Sequence, residues 1–225
     1  TQTYIYIAIR RGPMKTPTSG TEVFAPYISD STAPFRVESG FPVDSWLYGQ
    51  ITSTNKWFLF DRLRGSEYLK TNTTGAEVAY TAYFDDMEQA SITGSGYAGY
   101  INYAFRRAPG FFDVVAYEGT GVAKTVAHNL GAVPELLITK RRDTVGNWNV
   151  YSSGIGASNR LILDQDSASS SSAVWNNTAP TSSVFSLGSN TGVNASGGDF
   201  IAYLFATLPG VSKVGSYTGN GTSQT

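Results

Sequence analysis

The chain contains no cysteine, only two methionines and a single histidine among its 225 residues. Without cysteine there are no disulfide staples and no thiolate metal sites, so any fold must be held by its own core. Charge is scarce as well. Only 15% of residues are charged and the formal net charge is −1. That removes the bulk attraction that draws a protein to nucleic acid or an anionic membrane, and neither partner is expected. No stretch approaches the roughly 18 consecutive apolar residues of a membrane-spanning helix. No cofactor motif is present and no cofactor is expected.

Aromatic residues and glycine are plentiful. Fourteen Tyr, twelve Phe and 24 Gly, with 41% hydrophobic residues, suit an all-β chain with real cores better than a helical one. The segment Tyr100-Ile-Asn-Tyr-Ala-Phe-Arg-Arg-Ala-Pro-Gly110 recurs 100 positions later as Phe200-Ile-Ala-Tyr-Leu-Phe-Ala-Thr-Leu-Pro-Gly210. The match continues without a gap through Val114/Val214, Tyr117/Tyr217, Gly119/Gly219 and Gly121/Gly221. A third copy opens the chain, where Tyr4 to Pro13 aligns with Tyr100 to Pro109. A period this long does not belong to a solenoid and is the size of one folding domain. Because both termini fall inside a repeat, the sequence reads as an excerpt of a longer polypeptide.

The repeat extends into the module interiors. Trp57-Phe-Leu-Phe60 pairs with Trp148-Asn-Val-Tyr151 at an offset of 91, and Leu69 with Leu161 at 92. The second copy therefore carries about eight extra residues before Phe200, and Ser167 to Ala173 is the expected insertion point. Short aromatic or β-branched runs such as Leu136 to Thr139, Val184 to Leu187 and Phe200 to Phe205 alternate with Gly, Asn, Asp and Ser clusters. They read as strands and turns, and no long segment shows helical periodicity. Ile201 to Phe205 alternates little, as a central strand covered on both faces would. The fold class read from these signals is all-β, as tandem antiparallel β-sandwich modules of jelly-roll-like kind. Residues 1–19 read as the end of a preceding module, 20–108 as the first, 109–209 as the second, and 210–225 as the start of a following one. Phe105 to Val114 joins the modules through Pro-Gly with no flexible linker, which favours a semi-rigid rod.

Few side chains suggest chemistry. His128, in Val126-Ala-His-Asn-Leu-Gly131, has no elbow-like nucleophile nearby and reads as a turn residue. The acidic clusters are Asp85, Asp86 and Glu88, and Asp164 with Asp166; neither recurs in the other copy. They read as solvated loop acids, with Asp164 and Asp166 the better pair for a hard cation. Basic pairs lie at strand ends: Arg10 with Arg11, Arg106 with Arg107, Lys140 to Arg142, and Arg62 with Arg64. They suit interfaces between modules or subunits better than phosphate binding. The matched Trp57 and Trp148 read as core. Unmatched Trp175, beside Asn176 and Asn177 after the serine-rich stretch, is the candidate glycan platform. The sequons at Asn72, Asn176, Asn194 and Asn220 are read as chance matches in an Asn-, Ser- and Thr-rich chain.

Several motifs together resemble a known module. They are Tyr-x-Gly-x-Gly (117–121 and 217–221), His-Asn-Leu-Gly-x-x-Pro-Glu (128–135), Lys-Arg-Arg (140–142), Trp-x-Val-Tyr (148–151), Asn-x-Ser-Gly (194–197) and Phe-Ile-Ala-Tyr-Leu-Phe-Ala (200–206). The pattern resembles an uncharacterised β-module repeated in virion proteins of tailed bacteriophages. Copy one matches it less well, and no catalytic residue can be carried over. The resemblance implies a non-enzymatic virion protein, part of a tail fibre or appendage, that extends and displays and contributes to host-surface glycan attachment. Its implied partners are other virion proteins, further copies of itself and a host polysaccharide. A capsid decoration or head fibre is the runner-up, followed by a carbohydrate-active enzyme and a bacterial adhesin.

Overall fold

The computed structural model describes residues 14–29, 35–50, 57–80, 82–84, 89–92 and 99–219. The opening repeat copy with Arg10 and Arg11, the cluster Asp85, Asp86 and Glu88, and Asn220 lie outside the described residues.

The first module contains β1 (Phe24–Ile28), β2 (Phe35–Glu38), β3 (Ser45–Gln50), β4 (Phe58–Asp61), β5 (Glu67–Lys70), β6 (Val78–Ala79), β7 (Ala82–Tyr83), β8 (Gln89–Ile92) and β9 (Tyr100–Phe105). The second contains β10 (Phe112–Glu118), β11 (Lys124–Ala127), β12 (Leu136–Arg141), β13 (Asn149–Ser152), β14 (Asn159–Ile162), β15 (Ser170–Ser171), β16 (Val184–Leu187) and β17 (Asp199–Phe205). Each module builds one six-stranded antiparallel sheet. Their orders, β1-β9-β3-β4-β5-β6 and β10-β17-β12-β13-β14-β15, are the same topology. A smaller sheet belongs to each: β2-β8-β7 in the first and β11-β16 in the second.

The registers align the copies residue by residue. Phe24 faces Phe105 as Phe112 faces Phe205, Ser45 faces Asp61 as Leu136 faces Ser152, and Phe58 faces Lys70 as Asn149 faces Ile162. The extra residues of the second copy do not lie at 167–171, the larger part of the expected insertion point. Seven residues separate β5 from β6 and seven separate β14 from β15. Three are gained between β15 and β16 and five between Leu187 and Phe200, where the short helix Thr191–Asn194 sits.

Side chains alternate between the two faces of a strand, so each large sheet can serve two cores. On β17, Ala202 and Leu204 point into a core with Val126, Phe185 and Leu187 of the small β11-β16 sheet, which makes the sandwich. Ile201, Tyr203 and Phe205 point the other way, into a cluster with Phe24, Leu59, Leu69 and Phe105 of the first module. The large sheets therefore face one another, whereas the linker alone suggested modules placed end to end. The cause is the aromatic outer face of each sheet, which must be covered. Equivalent residues meet across the seam: Phe105 and Phe205, partners in the repeat, pack edge to face with centroids 6.1 Å apart.

Residues 211–217, expected to open a further first strand, form none. Ser212 makes one bridge with Leu208, and the Val214 N–H donates to Thr207 Oγ1. In β10 the matching residues pair with β17, and 211–217 have no such partner among the described residues.

Candidate functional site at the seam between the modules

The polar groups of the seam are as specific as its apolar ones. Asp61, the last residue of β4, and Arg64, in the turn that follows, have fully buried side chains ion-paired at 2.6 Å. The Asp61 Oδ1 also accepts from the Leu63 and Arg64 N–H groups at 3.1 Å, which fixes the turn. From β17 of the other module, the Tyr203 hydroxyl donates to Asp61 Oδ2 at 2.7 Å and accepts from Arg64 Nη2 at 3.1 Å. Burial pushes the Tyr203 phenol well above its ordinary pKa, so it remains a neutral donor. Burial by itself would lower the Arg64 pKa. Tyr203, Asp61 and Glu77 outweigh it, so the guanidinium stays charged.

Next to this triad, Arg142 makes a two-pronged pair with Glu77, Nε to Oε2 at 2.9 Å and Nη2 to Oε1 at 3.0 Å. Trp148 Nε1 donates to the carbonyls of Lys70 and Thr73, both at 3.1 Å, and its ring stacks on Tyr203. Lys140 is buried, with Nζ donating to Thr74 O and Arg141 O; burial pushes its pKa down to about 8. Arg107 joins the modules at the linker. Its Nε pairs with Asp113 Oδ1 at 2.7 Å, and its N–H donates to Asp44 Oδ2 at 2.7 Å. Arg106 contributes its N–H to Val23 O. Breaking a buried pair by removing one member costs about 3–5 kcal/mol, because the other charge stays buried without compensation. This seam fixes relative orientation. Among the described residues of the seam, no acid and base pair stands open to substrate and no nucleophile lies beside a base.

The resemblance motifs also form structural locks. Tyr117 to Gly121 and Asn194 to Gly197, far apart in sequence, bind each other. Thr120 N donates to Asn194 Oδ1 at 2.8 Å, Gly121 N to Asn194 O at 2.8 Å, and Tyr117 Oη to Val193 O at 2.9 Å. Gly119 lies so close to the Ala195 carbonyl that any Cβ would collide with it. Asn194 Nδ2 donates to Val122 O and Gly188 O, so this buried amide is fully engaged and its sequon cannot carry a glycan. His128 is buried: Nε2 lies 3.1 Å from Thr181 O, and Nδ1 accepts from Leu130 N. That pattern fits the neutral Nε2–H ring, and burial lowers its pKa.

Two sequence-derived site assignments need correction. Trp175 is only 1% exposed, packs edge-on against Tyr151 in the second core and presents no face to a sugar. Its neighbours Asn176 and Asn177 are exposed in left-handed conformation, φ 51° and 49°, forming a polar turn without the aromatic platform. Asp164 Oδ1 accepts from Trp148 N at 2.8 Å and so holds the start of β13, while Asp166 is exposed. No group of three metal-ligating side chains gathers among the described residues. Of the matched tryptophans, Trp148 is buried in the seam, whereas Trp57 is half-buried, stacked on Tyr103 and lying over Gly49. Arg64 is among the basic residues that the sequence suggests for an interface between modules, and it lies at the seam; its partners Asp61 and Tyr203 were missed. Tyr203 matches Tyr103 in the repeat without revealing a partner.

Comparison with known proteins adds one match: the model of a family described as a domain of unknown function, DUF7483, covers residues 107–225. No curated protein matches the chain, and no solved structure does.

Proposed function

Taking as premise that the chain belongs to the DUF7483 family, we propose that it is a non-enzymatic structural protein of a bacteriophage virion, a segment of a tail fibre or appendage. The observation that carries the reading is the seam. Two modules of one topology are joined by an aromatic layer and a buried triad, and that investment goes into holding shape. A rigid sandwich with polar loops suits display, and loops on such scaffolds are where binding concentrates. The virion context rests on the resemblance of the motifs from Tyr117-x-Gly-x-Gly121 to residues 200–206 to those of phage virion modules. Homo-oligomeric assembly, contacts with other virion proteins and attachment to host polysaccharide through the exposed turn at Asn176 and Asn177 belong to the same proposal. Removing residues 167–180 is no clean test of attachment, because Val174 and Trp175 are core. Exchanging Asn176 and Asn177 for Gly keeps the left-handed turn and the core.

The test is labelling of intact particles with antibodies against this chain. Label along a tail appendage supports the proposal; label on the capsid shell moves the assignment to a head fibre. Absence of the chain from purified particles overturns the virion reading. Depolymerisation of host polysaccharide by the purified chain, abolished by Asp164→Asn, would replace it with an enzyme.

A further inference from the structure

Within the seam the two sheets do not close completely. An apolar cavity of about 130 Å³ remains between them, walled from the first module by Leu47 and Phe105 and from the second by Phe112, Ile138, Leu163 and Phe205. We propose that this cavity is a binding site for a small apolar molecule, a single aromatic ring or a short alkyl chain.

The walls decide what the cavity can hold. A buried water needs two to four polar partners, and the polar side chains around this space are committed elsewhere. Ser45 Oγ donates to Phe60 O at 3.0 Å, Trp148 Nε1 to Lys70 O and Thr73 O, and the Tyr203 hydroxyl is held by Asp61 and Arg64. Among the described lining residues, that leaves the Thr71 hydroxyl alone. One hydroxyl does not hold a water. An apolar cavity of similar size, roughly 150 Å³, stays dry and takes up benzene or xenon. Leu163 is 48% exposed and supplies a movable aliphatic wall at the rim through which a guest can enter. A dry void also forfeits dispersion contacts on every wall, and an occupant restores them from both modules at once. The site exists only while the modules are docked, so its ligand stabilises the pair by mass action.

Toluene is the probe, and the full chain is the sample. At about ten times its dissociation constant, toluene should raise Tm by roughly 3–6 °C for a protein of this size. It should also shift the methyl resonances of Leu47, Ile138 and Leu163 ahead of those in the β11-β16 core. Ile138→Phe fills the cavity and should abolish the Tm response. No Tm rise, or a rise undiminished in a folded Ile138→Phe variant, overturns the site. If that variant does not fold, the wild-type spectra decide: shifts centred on these three methyls support the cavity, and shifts centred elsewhere refute it.

Discussion

The two modules share a strand plan and fill their sandwich cores by different means. Among the described residues of the first, strand side chains make up most of the core, joined by Phe41 and Val43 from the segment before β3. Trp46, Tyr48, Phe58 and Phe60 stack in a row at 4.8–5.3 Å, with Tyr68 edge-on to Phe58 at 5.0 Å. The register equivalents in the second are Leu137, Thr139, Asn149, Tyr151 and Arg160. Where the first places an aromatic pair, Phe58 and Tyr68, the second places a hydrogen bond from Arg160 Nη1 to Asn149 Oδ1 at 2.9 Å. Where the first buries Trp46 donating to Asn102 Oδ1 at 3.0 Å, the second has Leu137 and Ala202. The missing volume comes from the longer connections: Trp175 from the stretch after β15, and Val193 from the stretch after β16. A core needs density, and it does not matter to the sheet whether strand or loop provides it. The loops of the second module are thus part of its core, whereas surface loops are ordinarily dispensable.

The sharpest way to break this comparison is to remove the loop-supplied ring. Trp175→Ala should cost the second module about 3–5 kcal/mol, as much as Trp46→Ala costs the first. Denaturant unfolding checks it, and a loss under about 1 kcal/mol for Trp175→Ala would mean that the loop is ornament. Next comes the seam. Arg64→Ala strands the buried Asp61 carboxylate and should cost about 3–5 kcal/mol. Tyr203→Phe removes one hydroxyl and should cost about 1–3 kcal/mol. If Arg64→Ala proves as mild as Tyr203→Phe, the ion pair is not what registers the modules.

A double-mutant cycle sharpens the contrast between the cores. Trp46→Leu alone takes the indole donor from Asn102 Oδ1, and Asn102→Ala alone takes that acceptor from the indole N–H. The double variant, which copies Leu137 and Ala202, should be more stable than additivity predicts by about 1 kcal/mol. Strict additivity would deny that the two residues act as one unit.

The smallest effect is in pH dependence. Burial holds the folded-state pKa of His128 below its ordinary value of about 6.5. Its contribution is therefore complete above the unfolded pKa, declines as pH falls below about 6.5, and is gone below the folded value. A His128→Gln variant should lose that part of the acid-side slope. An unchanged slope would show the imidazole to be freely protonated in the folded state.

The all-β class was legible because aromatic and β-branched runs separated by Gly, Asn and Ser leave little else to form. The central position of β17 was legible too, since Ile201 to Phe205 is apolar at every position but gives no hint of what covers the second face. That is why the face-to-face seam was hidden: periodicity reports that a face is buried and is silent about its partner. Trp175 was misread because serines precede it and asparagines follow it; the apolar triplet Ala173-Val-Trp175 was the better guide. The offset arithmetic measured the insertion but could not place it, because both boundaries lie between conserved strand registers of the fold.

The central claim is that the modules form one unit, welded through the seam, and differential scanning calorimetry of the full chain tests it most directly. One welded unit should give a single transition in which calorimetric and van't Hoff enthalpies agree, separating into two when Arg64→Ala breaks the seam. Two independent transitions in the unaltered chain, each with about half the enthalpy, would contradict it.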